Sequence, residues 1–263
     1  MAWLRTALRF VPIPVTICGR PVERGFADGL YRMRITDPLP GEIAVTASGE
    51  TPKLWLLEHG VLSTRAVIPG YPAFSAAVEM GGLTAAGSSA DELRAAVNPH
   101  LESLIDEAAR MLLLLVDRLG SVEEPVRQRL TTLLLGFATL GLRRDQIMVS
   151  PIVKVRDGTT QRMESPSALA GRAARQGGVI AAAESETADL RAVEGLVVRA
   201  AIEERSLLSE LLEIRIENLA RGRSPLDLGS RIRALLRRGR RGVRGLFGPP
   251  ELPRNRLTPE ENQ

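Results

Sequence analysis

The 263-residue sequence predicts a mixed α/β (α+β) protein, and three observations carry that prediction. Short apolar runs separated by Pro, Gly and Asp turns fill the first third, and apolar residues at three-and-four spacing fill the middle. Beyond them the two periods alternate. Four segments follow: a small sheet with helices over 1–86, a helical hairpin over 87–145, a second small α/β module over 146–220, and a basic, largely disordered tail over 221–263.

Trp3, Leu4, Ala7, Leu8 and Phe10 space out like the end of a helix whose apolar face needs a partner, as if the chain began partway through a larger unit. Strands are expected at 15–18, 31–36, 43–46 and 54–57, because turn residues such as Gly19-Arg20-Pro21, Asp37-Pro38 and Pro40-Gly41 interrupt them. A short helix over 73–80 closes this segment.

Ser89 with Glu92 and Ser121 with Glu124 have capping-box spacing, in which hydroxyl and carboxylate satisfy amide donors left over at a helix start. The first pair predicts a helix ending near 97, and Asn98-Pro99 then predicts a fresh start, since proline loses nothing at the first helical position. Leu101, Leu104, Ile105, Ala108, Leu112, Leu115 and Leu119 give the stripe of a helix over 99–119 that Gly120 stops. Its partner runs from 121 to about 140, so the two form an antiparallel hairpin. Beyond it, strands are expected at 147–155, 178–183, 196–200 and 214–217, with helices at 165–175 and 203–212.

Composition bounds function less than fold. Apolar residues at 44% and charged residues at 25% are ordinary for a globular chain. The net charge of +4 is almost wholly arginine, with Lys53 and Lys154 the only lysines, a bias that points to genome composition before it points to phosphate binding. A single cysteine, Cys18, excludes an intrachain disulfide and suits a reducing, cytoplasmic setting. The most apolar run, 111–116, is far shorter than the ~20 residues of a membrane span.

His59, His100 and Cys18 are too few soft ligands for a zinc site, and no Gly-x-Ser-x-Gly elbow accompanies either histidine. Gly81-Gly82 through Gly87-Ser88-Ser89 precedes a helix but lacks the P-loop lysine and reads as a plain loop. The pairs Glu123-Glu124, Glu203-Glu204 and Glu260-Glu261 stand at helix starts or in the tail, where they complement the helix dipole or are solvated. No catalytic, metal or cofactor site is therefore predicted, and the chain alone is not expected to be an enzyme. The strongest charge anomaly is Arg231, Arg233, Arg237, Arg238, Arg240, Arg241 and Arg244, interleaved with Leu235, Leu236, Val243 and Phe247. As an amphipathic basic segment it is a candidate contact for a protein partner, an anionic membrane surface or nucleic acid.

Residues 4–26, LRTALRFVPIPVTICGRPVERGF, resemble the junction where a helix leaves the nucleotide-binding domain of GHKL-type ATPases and enters the next α/β domain. The blocks LWLLEHGVLSTRAVIPGYPAFSAAVEMGG and SLLSELLEIRIENL are similar to the middle and C-terminal parts of bacterial relatives of the ninety-kilodalton heat-shock chaperone. That resemblance implies an ATPase domain, a transducer domain contacting the γ-phosphate, and downstream modules for dimerisation or client contact. Here the Asn-containing magnesium helix and the Asp-x-Gly-x-Gly adenine loop are both missing, so no nucleotide-site residue carries over, and neither Lys53 nor Arg65 lies in a matching motif. The implied protein is a non-catalytic fragment or relative of such an ATPase, acting through protein–protein contacts with a separate ATPase domain, another protein or a second copy. The alternative is a nucleic-acid accessory protein using the arginine-rich segment.

Overall fold

The computed structural model describes residues 1–47, 51–81, 90–175, 178–183 and 196–218. The α/β (α+β) class holds. The chain opens with α1 (Ala2–Ala7), followed by a hairpin of β1 (Thr16–Ile17) and β2 (Arg20–Pro21). Cys18 and Gly19 between them take φ of +50° and +72°, as a two-residue turn matched to strand twist requires.

The first five-stranded sheet uses β3 (Gly29–Ile35), β4 (Gly41–Thr46), β5 (Lys53–Glu58), β6 (Val61–Val67) and β7 (Ser75–Glu79) in the order β3-β4-β7-β5-β6. All neighbours are antiparallel except β5 and β7. Two expectations are corrected here. The segment 73–80 is a strand rather than a helix: Ser75, Ala76, Ala77 and Val78 are all buried, and a central strand covered on both faces loses the alternation that betrays strands. Strand β6 was not expected, yet it pairs with β5 across the His59-Gly60 turn.

Next comes α2 (Ala90–Leu113), one continuous helix with Pro99 inside it, where a break at Asn98 was expected. Proline removes one helical hydrogen bond and costs about 3 kcal/mol. Against that, Val97 before it and Leu104, Ile105, Ala108, Ala109 and Leu112 after it are buried in one core, each worth roughly 1.5–3 kcal/mol for the large aliphatics. Tertiary burial outweighs the local stop signal. The helix also ends earlier than Leu119, giving way to a single 3₁₀ turn at Val116–Arg118. Then follow α3 (Glu124–Thr139) and α4 (Arg144–Val149). Ser121 is not the cap of α3: its Oγ donates to the Arg118 carbonyl at 2.9 Å, and Glu123 stands at the N-cap.

Residues 144–149 therefore form a helix where a strand from 147 was expected, and the strand β8 (Val153–Asp157) starts only after Pro151. It pairs antiparallel with β9 (Thr160–Glu164), which was not expected, through the Gly158 turn. Helix α5 (Pro166–Arg175) is capped by Ser165, whose Oγ accepts the Ala168 N–H at 3.2 Å. The remaining elements are β10 (Val179–Ala183), β11 (Leu196–Arg199), α6 (Ile202–Leu212) and β12 (Arg215–Asn218). The second sheet runs β12-β10-β11-β8-β9, its first three strands parallel.

One continuous apolar core joins the two sheets. It takes Ile43, Val45, Leu54, Leu56, Ala76 and Val78 from the inner face of the first, Val155, Ile180 and Val198 from the second, and the buried stripes of α2 and α3 between them. Among the described residues no helix is long and apolar enough to cross a membrane.

Candidate functional site

Strand periodicity sends alternate residues of the first sheet to its outer face, away from that core. In register across the sheet, one row on this face is Arg34, Glu42, Ala77, Trp55 and Arg65. Beside it, Phe26, Ala44, Leu57 and Ala77 form a small separate cluster with Phe10, Trp55 and Leu62 packed against it. Phe10, Phe26 and Trp55 meet edge to face at 5.0–5.5 Å, which fixes the two segments flanking the β1–β2 hairpin onto the sheet.

A groove of about 1060 Å³ runs along this face, lined by Arg9, Arg24, Arg32, Arg34, Glu42 and Glu79 among others. Its two carboxylates are already engaged by backbone. Glu42 Oε1 accepts the Phe26 N–H at 3.0 Å, and Glu79 accepts the His59 N–H on one oxygen and the Gly60 N–H at 3.0 Å on the other. Arg24 Nη2 donates to the carbonyls of Pro12 at 2.7 Å and Val11 at 3.3 Å, closing the groove wall. Arg9 lies over Trp55 at 5.4 Å and 3.9 Å from the exposed Asp28 carboxylate, and Arg65 covers Trp55 at 4.2 Å.

Arg32 and Arg34 differ from these. Both are exposed on β3, and among the described residues neither meets a carboxylate, although Glu42 is the cross-strand neighbour of Arg34. Guanidinium groups so placed have the chemistry to pair with an anionic group, carboxylate or phosphate.

Of the residues singled out in the sequence, His59 lines the groove and Arg65 covers Trp55 on the same face. Arg231, Arg233, Arg237, Arg238, Arg240, Arg241 and Arg244 lie outside the described residues, as does the glycine-rich stretch 82–89. His59 stands at φ +52° in the β5–β6 turn and borders the groove, His100 is half-buried on α2, and Cys18 is exposed in the first hairpin. Lys53 shares the outer face with Trp55, one row from it. Among the described residues no group of three or more His, Cys, Asp or Glu side chains is placed to hold a metal ion. A readable signal was present: in Tyr31-Arg32-Met33-Arg34-Ile35 the alternation puts both arginines on one face, opposite three core-facing residues. Searched against known proteins, the chain matches no protein family and no curated protein.

Proposed function

We propose that this chain is a non-catalytic binding module that docks an acidic segment of a protein partner in the groove of its first sheet. The observation that carries this reading is the pair Arg32 and Arg34, exposed beside a groove whose carboxylates are taken up by the amides of Phe26, His59 and Gly60. Arginine is suited to such contacts because its planar fork meets a carboxylate through two parallel hydrogen bonds. The resemblance to the transducer and downstream part of a chaperone-like GHKL ATPase gives the reading its setting: a cytoplasmic module working with a separate ATPase domain, another protein or a second copy.

Nucleic acid is the competing occupant, since phosphates also seek arginine. Glu42 and Glu79 in the groove repel either occupant alike, so the two are separated by the binding test below.

Trp55 provides the reporter, with Trp3→Phe removing the other tryptophan. Polyglutamate is expected to change Trp55 emission saturably, by displacing Arg9 or Arg65 from the indole face, and single-stranded DNA to bind more weakly. Tighter binding of DNA with a steep salt slope would transfer the reading to nucleic acid. Calorimetry with ATP and magnesium on the same chain is expected to show no binding, and stoichiometric binding would refute the non-catalytic assignment.

A further inference from the structure

Among the described residues β3 is outermost in the first sheet, hydrogen-bonded to β4 along one side and to no strand on the other. Its pairing is regular from Tyr31 to Ile35, past the bulge between Gly29 and Tyr31. The other side of such a strand presents unpaired N–H and C=O groups, a template for another extended chain. Proteins often guard edges with charge, and two arginines would serve for that. Here, however, both charges stand on the groove face, and the carboxylate nearest in register, Glu42, turns away to the Phe26 amide.

The geometry points to strand addition: an extended acidic segment of a protein partner pairs with the free edge of β3 and places two of its carboxylates on Arg32 and Arg34. This rests on the reading of the groove as a protein-docking site. Residues two apart in a strand lie about 6.6 Å apart on the same face, and a strand added at the usual spacing of about 4.8 Å presents its own alternate side chains at that same interval. A segment carrying Asp or Glu at every second position therefore meets both guanidinium groups as cross-strand ion pairs. Main-chain hydrogen bonds supply affinity and the paired charges supply register. The recognised chemistry is alternating acid, not acid in bulk.

The test uses the full chain and three fluorescein-labelled peptides read by anisotropy. One is a Glu-Thr repeat, the second has the same composition with the glutamates in a block, and the third is the repeat with alternate backbone nitrogens methylated, which removes the donors an added strand needs. The repeat is expected to bind, the block peptide to bind more weakly, and the methylated peptide to lose roughly tenfold or more in affinity. Arg32→Glu with Arg34→Glu should abolish binding of the Glu-Thr repeat and create binding of a Lys-Thr repeat, with an unchanged circular-dichroism melt because both side chains are exposed. Equal binding of the methylated and unmethylated repeats overturns strand addition while leaving the groove as an acidic-segment site. Binding of oligo-dT with no binding of any acidic peptide, or no binding of any of these probes, overturns both.

Discussion

The guanidinium of Arg127, on α3, donates from Nη1 to Glu204 Oε1 at 3.1 Å, and the two side chains are only 2% and 1% exposed. Glu204 occupies the third position of α6, where its other oxygen accepts the Ala201 N–H at 2.8 Å and so caps the helix. One carboxylate thus ties the start of α6 to the first turn of α3. Breaking a buried pair leaves a charge with nothing to answer it, so Arg127→Ala is expected to cost about 3–5 kcal/mol in urea unfolding. Arg127→Met together with Glu204→Gln should recover most of that loss. If the double variant is no more stable than Arg127→Ala, the pair is not what holds the two helices.

Glu124 completes the cluster, accepting from Arg127 Nη2 at 2.8 Å and from Lys154 Nζ at 3.0 Å. Burial acts to push its carboxyl up, but the hydrogen bonds and charges of Arg127 and Lys154 prevail and hold it at about 2. The folded value lies below the unfolded one, so this group's stabilisation is complete above the unfolded value near 4.5 and is lost as pH falls toward 2. Glu124→Gln should therefore flatten the acid limb of a stability profile between those two pH values. At neutral pH it should cost about 1 kcal/mol or less, because Glu124 is partly open to solvent. An acid limb unchanged by the substitution would remove Glu124 from the linkage.

The apolar runs of β3, β4 and β5, the helix α5 and the stripe of α2 were all legible in the sequence, because each is a local pattern answered by local geometry. Strand β7 was not, since Ala76 and Val78 face the main core while Ser75 and Ala77 are covered on the other face, and burial on both sides erases the period. Nor was the passage of α2 through Pro99, because the core that buries its stripe is assembled from both sheets and α3, distant in sequence. The groove was half legible: the Arg32-x-Arg34 alternation is visible, but the engagement of Glu42 by Phe26 depends on a loop packed by Phe10 and Trp55. The Arg127–Glu204 pair joins residues 77 apart, and no spacing rule announces such a contact.

Gly41 is a backbone requirement of the first sheet. A Cβ there would stand 2.1 Å from the Ala77 carbonyl oxygen on β7, and the nearest atoms are all β7 backbone, with no side chain free to yield. Gly41→Ala is expected to cost roughly 1–3 kcal/mol through forced separation of β4 and β7. Hydrogen exchange should locate the damage, with faster exchange along the paired segments Gly41–Ala44 and Ser75–Val78 than in the second sheet. Uniform loss across both sheets would contradict a local clash.

Stability and binding should move in opposite directions at Glu79. Its carboxylate accepts the N–H groups of His59 and Gly60 and so holds a turn in which both residues have positive φ, +52° and +76°. The turn is further pinned by Gly60, where an added Cβ would come within 3.0 Å of the Phe10 carbonyl and of Pro12. Glu79→Ala strands two amide donors and is expected to destabilise the fold by about 1–3 kcal/mol. The same change removes a negative charge from the groove, so any acidic peptide held there should bind more tightly, by a factor that shrinks with added salt. Thermal melts and peptide titrations on one preparation measure both effects. A variant that loses stability without gaining affinity would mean that Glu79 lies electrostatically out of reach of whatever the groove holds.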